Sequence, residues 1–231
     1  MYSVGQIAVR APQGWGRCDK TARAETSVES LDTNSEVRPV DGEDLRDIAA
    51  VLAGDADSYE RIVRRYQGVL AAYMWRFTRN PSVCEELVHE AFVQAYFSLH
   101  TFRASAPFLH WLRKIATRVG YHHWKREARE RAHRRIQAEE YAYSLPMSRG
   151  VRAESDDKGD ELHRILDGLS PRDRLVLTLL YLEELDTRQI AEVTGWSHSL
   201  VRVQAFRARN RLKKLLESRE RSKRDGTPGL I

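Results

Sequence analysis

The stretch Asp186-Thr187-Arg188-Gln189-Ile190-Ala191-Glu192-Val193-Thr194-Gly195-Trp196-Ser197, continued by His198-Ser199-Leu200-Val201-Arg202-Val203-Gln204-Ala205-Phe206-Arg207-Ala208-Arg209, decides how the rest of the chain is read. Asp186 is placed to cap a helix whose third residue, Gln189, reaches back to it, and Ile190, Ala191 and Val193 give that helix an apolar face. Gly195 suits the left-handed conformation that ends such a helix. A second helix starts at Ser197, with Leu200, Val201 and Ala205 at inward spacing and Arg202, Arg207, Arg209 and Arg211 projecting outward. A short helix, a glycine turn and a longer cationic helix predict a helix-turn-helix whose second helix is sized for a major groove.

Upstream, Ser170-Pro171-Arg172-Asp173 is a helix start, Ser at the cap and Pro at the first position, leading into Leu175 to Leu182; Leu162, Ile165, Leu166 and Leu169 precede it. Ser144 to Asp160 holds Pro146, Gly150, Gly159 and the acids Glu154, Asp156, Asp157 and Asp160, the composition of a flexible linker. Before it, Pro107 opens a helix with Phe108, Leu112, Ile115, Ala116 and Val119 on one side and Trp111, Lys114, Arg118, His122, Lys125 and Arg126 on the other. Cations interleaved with aromatics suit single-stranded nucleic acid, the cations tracking phosphates and the rings stacking on bases. A solvated basic face with Trp111 and Trp124 as packing residues is the competing reading of the same stretch.

Three further helices are expected. Leu45, Ile48, Ala49 and Leu52 form the apolar stripe of the first, stopped by Gly54; Tyr59, Ile62, Val63, Tyr66, Val69, Leu70, Tyr73, Met74 and Phe77 line the second. Asn80-Pro81 breaks it, and Ser82-Val83-Cys84-Glu85 offers a capping box for a third carrying Leu87, Val88, Ala91, Phe92, Ala95, Tyr96 and Leu99. Residues 1–40 show neither helical nor strand periodicity and read as a disordered arm. No stretch alternates like a strand, so the fold class is all-α, two small helical domains joined by a linker: 41–138 and 161–218, with 139–160 between them and 219–231 a basic tail.

Composition narrows the function. A net charge of +5 and a pI near 9.3 suit a polyanionic partner, and the cations are concentrated at 113–135 and 202–224. Two distant cysteines, Cys18 and Cys84, complete neither a zinc site nor a disulfide framework, which fits a reducing cytoplasm; no apolar run approaches a membrane span. There is no phosphate loop, no His-Glu-x-x-His and no nucleophile elbow, so no enzyme, metal or cofactor is expected. Adjacent His122 and His123 diverge by about 100° on a helix and do not share a metal readily.

Two blocks resemble a known family. Glu85-Glu86-Leu87-Val88-His89-Glu90-Ala91-Phe92-Val93-Gln94-Ala95-Tyr96, with Phe102 to Pro107 and Trp111-Leu112-Arg113-Lys114-Ile115-Ala116-Thr117, resembles region 2 of extracytoplasmic-function (ECF) sigma factors of the sigma-70 family. Ser170 through Arg211 is similar to region 4. The chain departs from the usual pattern at Glu86 and His89, at Arg118 and Tyr121, and at Val203-Gln204, where Ser-Arg is frequent.

The resemblance implies an initiation factor whose partners are core RNA polymerase, through clamp helices and flap, and promoter DNA. Glu86, His89, Glu90 and Val93 would face polymerase; Arg103, Phe108, Trp111, Lys114, Arg118, His122, Lys125 and Arg126 would hold the melted minus-ten element; His198, Ser199, Arg202, Phe206 and Arg207 would read the minus-thirty-five duplex. It also implies an anti-sigma protein as a candidate partner, and an acidic linker suited to a channel built for nucleic acid. A conventional dimeric DNA-binding regulator and a protein-capturing adaptor are the alternatives. Polymerase-dependent initiation separates them.

Overall fold

The computed structural model describes residues 42–141 and 158–224, so the expected arm at 1–40, the acids Glu154, Asp156 and Asp157 of the linker, and the last seven residues lie outside it. Eight α-helices follow in order: α1 Gly42–Leu52, α2 Asp57–Met74, α3 Pro81–Ser98, α4 Phe108–Tyr141, α5 Lys158–Leu166, α6 Pro171–Tyr181, α7 Thr187–Thr194 and α8 His198–Arg224. A short 3-10 turn, Leu99–Thr101, follows α3. No strand occurs among the described residues, and the fold is all-α. The helix of the basic C-terminal stretch runs unbroken to Arg224, past the expected end of structure near 218.

Helices α1 to α4 pack around Ile62, Leu70, Met74, Phe77, Leu87, Ala91, Leu112 and Ala116, all essentially without solvent contact. The spacing that predicts α2 and α3 therefore holds, except at Val69, which is 42% exposed. The start of α3 differs: its cap is Asn80, whose side chain accepts from the Ser82 and Val83 amides, with Pro81 at the first turn. Asn leads the N-cap preferences and proline spends no needed donor there, so Asn80 takes the role expected of Ser82.

The first helix is turned away from its apolar stripe, which keeps only Ile48 in the core. Leu45 and Leu52 are 40% and 56% exposed, while Asp44 and Asp47 are buried beside Ile48. Burying acids is costly unless they are paired, and α2 supplies the partners. Arg65 Nη1 meets Asp44 at 2.5 Å, Arg65 Nη2 meets Asp47 at 2.9 Å, and Arg61 Nε meets Asp47 at 2.9 Å. Burial works to raise the Asp47 carboxyl, but hydrogen bonds and charge from Arg61 and Arg65 outweigh it and hold it below the usual carboxylate range.

Helix α4 reaches the core by a close approach. Gly120 faces the Phe77 ring, and a Cβ there would lie 2.2 Å from a ring carbon. Beside it Trp124, 1% exposed, donates Nε1–H to the Phe77 carbonyl at 2.7 Å and tilts against the Phe77 ring at 4.8 Å. Gly120→Ala is expected to cost about 1–3 kcal/mol by forcing Phe77 out of place; urea unfolding checks it, and an unchanged midpoint would contradict this packing.

The second group of helices is centred on Asp173, which is fully buried. Ser170 caps α6 through the Asp173 amide, and Pro171 occupies the first turn, as its sequence signature implies. The Asp173 carboxylate accepts from Ser170 Oγ at 2.6 Å, Gln204 Nε2 at 2.5 Å and Arg211 Nη1 at 2.5 Å. One acid on α6 thereby holds two turns of α8.

Candidate nucleic-acid interface

The helix-turn-helix forms as its local chemistry dictates. Asp186 and Gln189 complete a reciprocal capping box on α7, and Gly195 ends the helix at φ 74°, a left-handed conformation. The backbone hydrogen bond from Gln189, helped by that from Arg188, holds the Asp186 carboxyl below its ordinary range and outweighs desolvation, which works to raise it. Ser197 starts α8 by accepting from the Leu200 amide at 3.3 Å. His198 and Thr187, one at the start of each helix, share a hydrogen bond of 2.8 Å between Nε2 and Oγ1, which braces the turn.

On α8 the buried side chains are Val201, Gln204, Ala205 and Ala208. His198, Ser199, Arg202, Phe206 and Arg207, the residues expected at the minus-thirty-five face, are all exposed, and so is Val203. Gln204 points inward to Asp173 and is removed from that surface. Leu200 is 37% exposed rather than core. Arg209 and Arg211 are exposed, as expected, but Arg209 donates to the Tyr181 hydroxyl at 2.8 Å and Arg211 to Asp173, which ties both to α6.

On α4, Trp111, Lys114, Arg118, His122, Lys125 and Arg126 recur at helical spacing and form one stripe. Arg118, His122 and Arg126 are exposed; Trp111, Lys114 and Lys125 are half-buried; Arg103 is exposed on the preceding loop. Phe108 is corrected to a packing residue: it is 1% exposed, with its ring 5.4 Å from those of Phe102 and Trp111, and cannot stack on a base from there. Trp124 resolves the same way, as core.

The expected polymerase face of α3 is also one stripe. Glu86 and His89 are exposed, and Glu90 and Val93 are half-buried, Glu90 accepting from Gln94 at 3.0 Å. Phe97, one turn beyond Val93 on the same line, is 71% exposed. The sequence reading missed it. Its signal was an aromatic at i+4 from Val93, outside the periodicity that the neighbouring core residues obey.

The two helix groups meet along α4. The Arg174 guanidinium lies 4.1 Å from the Trp124 ring centre, Arg172 lies 5.2 Å from that of Trp196, and Tyr121 meets Trp196 edge-on at 5.9 Å. Arg76 pairs with Glu183 across the same boundary. A small cleft lies between the groups, lined by Thr117, Arg118, Tyr121, Leu175, Thr194 and Trp196. Arg118 of the α4 stripe thus borders α7.

His123, 7% exposed, sits in this seam near Arg174. Burial above all pushes its pKa below the ordinary value of 6.5; Glu127 opposes this at 3.6 Å, and the charges of Arg126 and Arg174 reinforce it. The unfolded chain therefore takes up a proton that the folded chain resists, so this contribution is absent above about pH 6.5 and destabilising below it. The melting temperature is expected to fall between pH 7.5 and 5.5, and to fall less in His123→Gln. Equal slopes for both proteins in a pH series of thermal melts would refute this.

Among the described residues no group of three or more His, Cys, Asp or Glu is arranged for a metal, and no helix is long and apolar enough to cross a membrane.

The helix-turn-helix with its outward cationic face is joined to a helical unit bearing a second basic and aromatic stripe. Comparison makes the family explicit. Residues 62–130 match the Sigma-70 region 2 family model and residues 159–212 the Sigma-70, region 4 model. RNA polymerase sigma factor YlaC of Bacillus subtilis is 30% identical over 171 residues, 71% of this chain and 95% of the relative. The ECF RNA polymerase sigma-E factor of Haemophilus influenzae is 28% identical over 177 residues, 74% of this chain and 93% of the relative. A solved structure of CnrH in complex with the cytosolic domain of CnrY aligns at 22% identity and TM-score 0.48, covering 76% of this chain and 98% of that one. The chain belongs to the sigma-70 family, in its extracytoplasmic-function group, and is an RNA polymerase sigma factor.

Proposed function

We propose that the chain binds core RNA polymerase through the α3 face of Glu86, His89, Glu90 and Val93, extended by Phe97, and places α4 and α8 on the two elements of a promoter. An acidic and apolar stripe on a chain of net charge +5 is a distinct patch, suited to a complementary surface on polymerase. Residues 41–138 and 161–218 act as the polymerase and minus-ten unit and the minus-thirty-five unit.

On α4, Arg118, His122, Lys125 and Arg126 follow the backbone of the melted strand, with Lys114 and Arg103 at its edge, while Trp111 offers a half-buried ring for an unpaired base. Stacking of that kind is worth about 1–3 kcal/mol per base, against a few kcal/mol to unstack it. On α8, Arg202 and Arg207 hold the duplex, with His198 and Ser199 at the entry of the helix and Phe206 on its outward face. The factor works without catalytic chemistry of its own, in the cytoplasm, under the control of an anti-sigma protein.

The observation that carries this reading is the pair of outward cationic stripes, each within one of the two matched sigma regions and in the same chain order. The test combines the purified chain with core RNA polymerase and transcribes a promoter library. Specific start sites that depend on the chain are expected. Duplex binding as a dimer without polymerase, or no specific start sites, would overturn the proposal.

A further inference from the structure

We propose that Val203 reads the 5-methyl group of a thymine in the duplex element that α8 contacts. At the centre of this helix, sequence is then selected by an apolar contact rather than by a hydrogen bond. The inference rests on the placement of α8 in a major groove stated above and assigns the side chain that makes the choice.

The argument begins with the rotation of α8. Successive side chains turn by about 100°, and the helix is anchored by Val201, Gln204, Ala205 and Ala208, all buried. The direction opposite these anchors is occupied by Ser199, Val203, Phe206 and Asn210. Val203 and Phe206, one turn apart, are 47% and 65% exposed, apolar side chains that the anchoring of α8 leaves in solvent. Arg202 and Arg207 stand exposed on either side of this line. The pattern is an apolar centre flanked by cations.

A helix lying in a major groove presents its central line to base edges and its flanks to the phosphates on either side, and the residues nearest its N-terminus reach the bases. The side chains able to donate or accept at that centre are otherwise engaged or remote. Gln204 is turned inward onto Asp173 at 2.5 Å, Ser199 Oγ is 3.2 Å from Ser197 Oγ, and Asn210 lies almost two turns beyond Val203. Among the groups displayed in the major groove, the thymine methyl is the apolar one, and an aliphatic side chain gains by covering it. The flanking arginines supply the charge complementarity that selects DNA, rather than a second protein, as the occupant of this face.

The test uses holoenzyme assembled from the full chain and core RNA polymerase, on a promoter recovered from the library. Each thymine of the upstream duplex element is replaced in turn by uracil, which lacks the methyl alone, and initiation is measured with the native chain and with Val203→Ser. Loss of about fourfold at one or two thymines is expected with the native chain, the equivalent of about 0.8 kcal/mol for one buried methyl. The loss should vanish with Val203→Ser, whose melting temperature should match the native chain's because the position is half exposed. An upstream element without thymine, a uracil series indistinguishable from thymine, or a loss that persists in Val203→Ser would overturn the inference while leaving the sigma reading intact. Weaker association of Val203→Ser with core polymerase at unchanged base preference would also overturn it, assigning the patch to protein docking. Absence of any specific initiation by the native chain would instead sink the underlying placement of α8.

Discussion

Trp124→Ala is expected to destabilise the first helix group by about 3–5 kcal/mol, the range for deleting a large buried aromatic. Trp124, on α4, packs against the Phe77 ring just beyond the end of α2, satisfies the Phe77 carbonyl at 2.7 Å, and carries the Arg174 guanidinium on its face at 4.1 Å. Trp124→Phe separates these roles. It keeps a ring for packing and for Arg174 but leaves the Phe77 carbonyl without its donor, a loss of about 1–3 kcal/mol. Chemical unfolding of both variants provides the check, and a Trp124→Ala loss under 1 kcal/mol would mean that α4 is not anchored as described.

Asp173→Ala should be comparably damaging to the second group, by about 3 kcal/mol. Removing one member of a buried, hydrogen-bonded charge cluster leaves its partners without compensation. Here the Gln204 amide, itself 6% exposed, would lose its acceptor inside the protein, and Ser170 and Arg211 would lose theirs at the rim. For a unit of this size such a change lowers the melting temperature by more than about 10 °C. The same substitution loosens α8 against α6, so duplex recognition should decline at temperatures where the chain still appears helical by circular dichroism. Unchanged melting would show that Gln204 and Arg211 hold α8 without the acid.

Local chemistry was legible in the sequence wherever the partners are a few residues apart. Asp186, Gln189 and Gly195 determine both ends of α7 within one window, and the structure reproduces that capping box and that left-handed glycine. The inward face of α1 was not legible, because the partners that bury Asp44 and Asp47, Arg61, Arg65 and Tyr66, lie fourteen to twenty-two residues away on α2. Apolar periodicity alone pointed Leu45 and Leu52 inward, and the distant arginines reversed it. The aromatics among the α4 cations behave alike in sequence. Phe108 and Trp124 proved to be core while Trp111 stays half open, a distinction set by which ring meets Phe102 or Phe77 across the fold. Gln204 likewise reads as a surface residue of a DNA helix until Asp173, thirty-one positions earlier, claims it.

The seam along α4 carries a metric consequence for promoter geometry. With Tyr121 and Trp196 in ring contact at 5.9 Å, α4 lies against the turn between α7 and α8, so the two units proposed to take the minus-ten and minus-thirty-five elements are packed together. Two elements centred about 25 base pairs apart are separated by roughly 85 Å of duplex at 3.4 Å per step. On the proposed function, a chain that engaged both at once would part α4 from α6 and α7 and give up the Arg174 contact with Trp124 and the Arg76 pair with Glu183. What then limits the separation is covalent: residues 142–157 lie between the end of α4 and the start of α5 and reach at most about 3.3–3.6 Å each. One residue of that span has a maximum length close to one base-pair step, so the span sets an upper bound on how far apart the two units can sit.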